Sequence, residues 1–360
     1  MGLIAARRYS ACMHGSTSHQ VAHLVDRHPS VSPERLISQL RPPPTFADVS
    51  FATYRPDPAE PTQAAAVAAC QQFCVQAVQR RAGRKKLFGK REVLPGVGIY
   101  LDGGFGVGKT HLLASAYYQL PGDGPGATPA PKAFATFGEL TQLAGVFGFV
   151  ECIDLLADYT AVCIDEFELD DPGNTTLISR LLSSLVERGV SVAATSNTLP
   201  EQLGEGRFAA QDFLREINTL ASIFTTVRIA GPDYRHRDLP PAPQPLSDEQ
   251  VSTRAAGVPG ATLDDFDALC AHLATMHPSR YLTLIEGVSE VFLTGVHAID
   301  DQNVALRLVS LTDRLYDAGI PVVGSGAKLD TIFSEEMLAG GYRKKYLRAT
   351  SRLLALTAQA

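Results

Sequence analysis

Five short apolar runs alternate with stretches of helical length between residues 97 and 229. They are Val97–Leu101, Lys132–Phe137, Ala161–Ile164, Val190–Thr195 and Ile223–Ile229. Runs this short, rich in Val, Ile and Ala, read as strands buried on both faces. The intervening stretches, for example Thr175–Arg188, read as helices. Such alternation predicts an α/β fold, a parallel sheet with helices on both faces and ligands bound beyond the carboxyl ends of the strands. Gln63–Ala82 predicts a helix ahead of this core. Behind it, Leu263–Ala274 and Val304–Ala318 predict helices, and Ser289–Val296 and Ile320–Ser325 predict strands. Two segments break the pattern, the Pro/Gly-rich stretch after Leu120 and the proline-rich Asp238–Ser247. The expected plan is a peripheral segment over 1–45, ending in the stiff Arg41-Pro42-Pro43-Pro44, a core over 46–238 and a mixed α/β region over 239–360.

A chain of 360 residues with 45% hydrophobic and 19% charged residues is long enough for about two packed domains. The net charge of −6 argues against a general nucleic-acid coat. No stretch approaches the roughly 18 apolar residues that span a bilayer. The expected location is the cytoplasm. Six cysteines are scattered, with Cys70 and Cys74 on one helical face and no second pair at zinc-like spacing, so they read as reduced, packed thiols. Arg7 and Arg8 precede the first acidic residue, Asp26, and the start of the chain is expected to be a short disordered leader or the product of a start codon placed too early. The basic run from Arg80-Arg81 through Arg84-Lys85-Lys86 to Lys90-Arg91 is read as a solvated loop, with contact to nucleic acid as the alternative.

The first strand runs into Gly103-Gly104-Phe105-Gly106-Val107-Gly108-Lys109-Thr110, a full match to the phosphate-cradling pattern G-x-x-x-x-G-K-[ST], and a helix starting near His111 follows. Glycines let backbone N–H groups converge on phosphate oxygens, and the helix N-terminus adds partial positive charge. Gly103 to His111 are therefore the expected nucleotide-binding residues. Lys109 would reach the β- and γ-phosphates, and Thr110 would face Mg²⁺. The third strand ends in Asp165-Glu166. Asp165 is placed to hold Mg²⁺, and Glu166 to act on the attacking water as general base. The fourth ends in Thr195-Ser196-Asn197, where the Asn197 amide can orient that water. The guanine-reading sequence N-K-x-D does not occur, which favours ATP. Arg207, Arg215 and Arg228 are the candidate arginine fingers, and Arg215, in QDFLREI, is the choice.

The ordered set GGFGVGKT, IDEFELDDPGNTTLISRLL and ATSNTLP resembles the ZapE-type, AFG1-like AAA+ ATPases, and further similar stretches extend over about residues 35–355. The resemblance implies ATP hydrolysis with Mg²⁺, a homo-oligomer, and action on a protein client. That client is FtsZ polymers in bacterial members and a quality-control substrate in mitochondrial relatives. It also implies Asn197 as first sensor, Arg348 as second sensor, and Tyr54 and Gln63 beside the adenine. The family's arginine after the first sensor falls near Ala210 here, which leaves Arg215 or Arg207 as substitutes. A helicase-loader-like ATPase is the nucleic-acid alternative.

Overall fold

The computed structural model describes residues 21–83, 93–122, 131–169, 172–203, 213–232 and 243–358. Arg207, Ala210 and residues 84–91 of the basic run lie outside them.

The five expected strands form one parallel sheet of order β2-β3-β4-β1-β5. They are β1 (Gly98–Gly103), β2 (Lys132–Thr136), β3 (Ala161–Asp165), β4 (Ser191–Ser196) and β5 (Phe224–Ile229). Alternate residues of each strand face opposite layers, as a two-residue period requires. Val162 and Ile164 enter the cluster under α4 (Phe137–Phe147), α5 (Phe149–Leu156), α6 (Pro172–Glu187) and α7 (Leu214–Ile223). Ala161 and Cys163 enter the opposite cluster, under α2 (Pro61–Ala82) and α3 (Lys109–Gln119). Because both faces are covered, every residue of β3 is buried. The thiols follow the packing. Burial pushes Cys70 and Cys74 up to about 12, so they are inert, reduced core groups.

The second unit is a three-stranded parallel sheet of order β6-β7-β8, comprising β6 (Thr262–Asp265), β7 (Val291–Val296) and β8 (Val322–Gly326). Around it lie α8 (Asp248–Gly257), α9 (Phe266–Ala274), α10 (Tyr281–Leu284), α11 (Gln302–Ala318), α12 (Glu335–Ala339) and α13 (Arg343–Thr357). The expected helix over 263–274 divides into β6 and α9. Asp265 accepts a bond from the Ala268 amide at 3.0 Å and caps the helix there, and β6 pairs with β7 before the cap. The closing helix α13 is absent from the sequence-level plan. Among the described residues no helix is long and apolar enough to cross a membrane.

Residues 22–40 make backbone contacts to both sheets. Ala22 bridges to Thr262, and its carbonyl accepts from the Leu263 amide at 3.0 Å, which extends the second sheet. The Asp264 carboxylate accepts from the amides of Leu24 and Val25 at 3.0 and 3.1 Å, and Leu24 is buried in that unit's core. Further on, α1 (Pro33–Ser38) leads to Leu40, whose carbonyl accepts from the Phe134 amide on β2 at 3.0 Å. The segment thus covers edges of both sheets, satisfying amides that would otherwise be exposed. Its proline-rich tail does not reveal these long-range bonds.

Candidate functional site

Sheet order assembles the site. β4 lies between β3 and β1, so Asp165-Glu166, Asn197 and the glycine loop end side by side at the carboxyl edge. The loop demands glycine where it is most compact. Gly108 has φ 87 and packs on Tyr54, so an added Cβ would meet the ring at 2.5 Å. At Gly103 it would meet the Ile229 carbonyl at 2.4 Å. Side chains at either position would displace β5 or the Tyr54 segment.

Lys109 is the first residue of α3. Its Nζ donates to the Gly103 and Gly104 carbonyls at 2.9 and 2.6 Å and to Asn197 Oδ1 at 2.7 Å. The cation and the amide therefore form one unit across two strand ends. Thr110 donates its hydroxyl to both Asp165 oxygens at 3.1 Å. The Thr195 hydroxyl also donates to Asp165. Burial first, then the neighbouring Glu166 charge, push the Asp165 carboxyl above the usual range, against its bonds to Thr195 and Thr110 and the charge of Arg352. A divalent cation would relieve that cost. The paired hydroxyl and carboxylate suit Mg²⁺, which takes one or two protein ligands and completes its shell with phosphate and water. Among the described residues no group of three or more His, Cys, Asp or Glu that could hold a metal ion occurs.

Glu166 is the one non-glycine residue with positive φ, at 54°, among those described. Such a backbone costs on the order of 1–3 kcal/mol and persists only where its surroundings enforce it. Here they do. The Glu166 amide donates to Thr195 Oγ1 at 3.1 Å and the Phe167 amide to the Thr195 carbonyl at 2.7 Å, while the Phe167 ring is fully buried. The turn delivers the carboxylate to α13. Arg352 Nη2 donates to Oε1 at 2.9 Å, and Arg348 Nη2 lies 3.2 Å from Oε2. Arg348, the expected second sensor, thus meets Glu166. Both arginines also bind Asp313 of α11. One helix turn before Arg348, Lys344 donates to the Asn197 carbonyl at 2.7 Å and to Thr198 Oγ1 at 3.0 Å.

The remaining expected residues divide. Tyr54 donates its hydroxyl to the Val107 carbonyl at 2.8 Å. Gln63 spends both ends of its amide on backbone, the Asp57 N–H at 2.8 Å and the Ala230 carbonyl at 3.0 Å. Both residues brace the glycine loop and the end of β5. His111 turns to the Ser50 carbonyl at 3.1 Å and to Thr53 Oγ1 at 3.0 Å. Arg215 is exposed on α7. Arg228 is exposed on edge strand β5, and its charge acts on Asp102 together with those of Lys109 and Lys344. Sequence reasoning passes over Arg352, Lys344 and Asp313. Their signal is the four-residue spacing of 344, 348 and 352, matched by Asp313 and Asp317 on α11.

A cleft of about 820 Å³ opens beside this network, reaching from Glu166 to Arg307 between the two units. Two acids in its wall, one turn apart, have opposite environments. Burial alone would raise Asp313, but Arg348 and Arg352 outweigh it and hold the carboxyl at about 2. Asp317 lies 4.0 Å from Arg314, and burial pushes it up to about 7. The folded protein thus keeps the Asp317 proton where the unfolded chain has released it. Stability from this group is full below the ordinary aspartate range and falls as pH rises to about 7. Asp317→Asn mimics the protonated form. Between pH 6 and 8 it should gain on the order of 1 kcal/mol over wild type, read from thermal melts of both proteins at each pH.

The sequence model of the AFG1-like ATPases matches residues 30–249 and 240–360. Cell division protein ZapE of Escherichia coli (strain K12) is 28% identical over 308 residues, covering 74% of this chain and 80% of that protein. Lactation elevated protein 1 homolog B of Danio rerio is 28% identical over 106 residues, 29% of this chain and 21% of that protein. Among solved structures, the crystal structure of DnaI aligns with 55% of this chain and 98% of its own, at 19% identity and a TM-score of 0.39.

Proposed function

This chain belongs to the AFG1-like ATPase family, and on that premise we propose that its ATP hydrolysis, carried out at the β3-β4-β1 strand ends, drives a conformational cycle acting on FtsZ polymers in cell division. The observation that carries the catalytic part is the convergence of Lys109, Thr110, Asp165, Glu166 and Asn197 on one sheet edge. The client rests on the likeness to the Escherichia coli cell division protein, which spans 74% of this chain.

In this reading the backbone amides of Gly104–Thr110 and the start of α3 receive the phosphates, and Lys109 moves from the loop carbonyls to the β- and γ-phosphates. Thr110 and Asp165 would hold Mg²⁺, and that ion would supply charge neutralisation at the phosphate oxygens. Glu166 and Asn197 orient water toward the γ-phosphate, and Glu166 takes its proton. Most of the rate gain is positioning and electrostatics. Arg215, exposed on α7, serves the site of a neighbouring copy in a homo-oligomer, with Arg228 and Arg207 as substitutes. Residues 46–238 form the catalytic unit and 239–360 a unit that links it to the client. A cytoplasmic site of action follows from that client.

Co-sedimentation with FtsZ polymers tests the client. Wild type, Lys109→Ala and Glu166→Gln are compared with and without ATP. Polymer binding or loss that needs ATP and changes in the two variants supports the division role. Intact ATP turnover with no association in any state removes FtsZ and leaves a quality-control client as the reading to pursue.

A further inference from the structure

On one face of α13, Lys344, Arg348 and Arg352 recur every four residues, so their side chains form a single stripe. The stripe spans the ends of β3 and β4. Lys344 holds the Asn197 carbonyl, and the two arginines hold Glu166. From the other side, Asp313 of α11 meets the same arginines. Arg348 Nη2 is shared between Glu166 Oε2 at 3.2 Å and Asp313 Oδ2 at 2.8 Å. Arg352 gives Nη2 to Glu166 Oε1 and Nη1 to Asp313 Oδ1. Two guanidiniums thus bridge two carboxylates in a closed square.

Both arginines are buried, at 6% and 7% exposure, and the Nε of each has no hydrogen-bond partner among the described residues. The Tyr316 ring lies 5.1 Å from Arg352, and Glu168 lies 4.0 Å from Arg348. Neither contact replaces a bonded carboxylate, so the direction of each guanidinium is set by how Asp313 and Glu166 divide it. A carboxylate whose oxygens are both taken by guanidiniums has few lone pairs left to direct water. The stronger the hold of Asp313 on the arginines, the less completely they occupy Glu166.

We propose that Asp313 is a positioning residue for ATP hydrolysis: as the shared acceptor of Arg348 and Arg352, it sets how far those arginines occupy the Glu166 carboxylate and so whether Glu166 can orient the attacking water. The proposal rests on the reading of Glu166 as the group that acts on water. It also ties the rate to the second unit, because any movement of α11 against α13 changes the division.

The test measures ATP turnover, nucleotide affinity with a fluorescent ATP analogue, and melting temperature. The proteins are wild type, Asp313→Asn, Arg352→Gln, the double variant Asp313→Asn/Arg352→Gln, and Glu166→Gln. In Asp313→Asn both arginines fall on Glu166. Its kcat should drop about tenfold, with KM and analogue affinity within about twofold of wild type. The double variant removes the surplus cation and should recover to within about threefold of wild type, which a merely structural role for Asp313 would not produce. Arg352→Gln alone should turn over at or above the wild-type rate.

Wild-type kcat in Asp313→Asn overturns the proposal. So does a folded double variant no faster than Asp313→Asn. Should Asp313→Asn fail to fold, Arg352→Gln decides: turnover at or above wild type supports the proposal, and a fall toward the Glu166→Gln level at an unchanged melting temperature overturns it. Wild-type turnover by Glu166→Gln itself removes the underlying reading and the proposal together. Inactivity of Glu166→Gln with an unaffected Asp313→Asn removes the proposal alone.

Discussion

Replacing Glu166 by Gln is expected to lower ATP turnover by about 10²- to 10⁴-fold while nucleotide binding persists. The size follows from the group removed. Glutamine keeps the shape and the left-handed backbone turn, and it leaves the Thr195 bonds to the Glu166 and Phe167 amides in place. It cannot take a proton from water. It also withdraws the negative charge that faces Arg348 and Arg352, so the variant should melt below wild type. Phosphate release under single-turnover conditions separates this from a binding defect. A Glu166→Gln protein that hydrolyses bound ATP at the wild-type rate would remove Glu166 from the chemistry.

The second large effect falls on binding as well as rate. Lys109→Ala deletes a cation that ties the Gly103 and Gly104 carbonyls to the Asn197 amide. It also deletes the charge that would meet the β- and γ-phosphates. A hydrogen bond to a charged group contributes about 1.5–3 kcal/mol, which corresponds to roughly a ten- to hundredfold weaker Kd for ATP. Turnover at saturating ATP should fall too, because Asn197 loses the partner that fixes its side chain. Titration with a fluorescent ATP analogue and steady-state kinetics give the two readings. Unchanged ATP affinity in Lys109→Ala would mean that the glycine loop holds no phosphate. The contrast between the variants is itself informative: Glu166→Gln should change kcat alone, and Lys109→Ala both kcat and apparent affinity.

The catalytic sheet was legible because its signals are local. A short apolar run and a glycine loop with Lys-Thr sit within a few residues of one another, and each implies its own backbone geometry. The division of residues 263–274 into β6 and α9 was less legible. Leu263 and Phe266 suit either a helix or a strand, and pairing with β7 together with the Asp265 cap decided between them. The contacts of residues 22–40 were not legible because their partners lie far along the chain. Ala22 and Leu24 meet residues 262–264, and the Leu40 carbonyl meets Phe134. Nothing in a proline-rich stretch reports such pairings.

What the sequence determined alone is the kind of chemistry: a loop whose glycines, lysine and threonine suit phosphate, and a strand that ends in two acids. Those features depend on short-range backbone geometry and on residue type. What the tertiary structure decided is the company Glu166 keeps. Arg348 and Arg352 lie more than 180 residues further along the chain, and only the packing of α13 on α11 brings them and Asp313 to the end of β3. Charge pairing across such separations costs desolvation and ordering, and only a folded interface that has already excluded water sustains it.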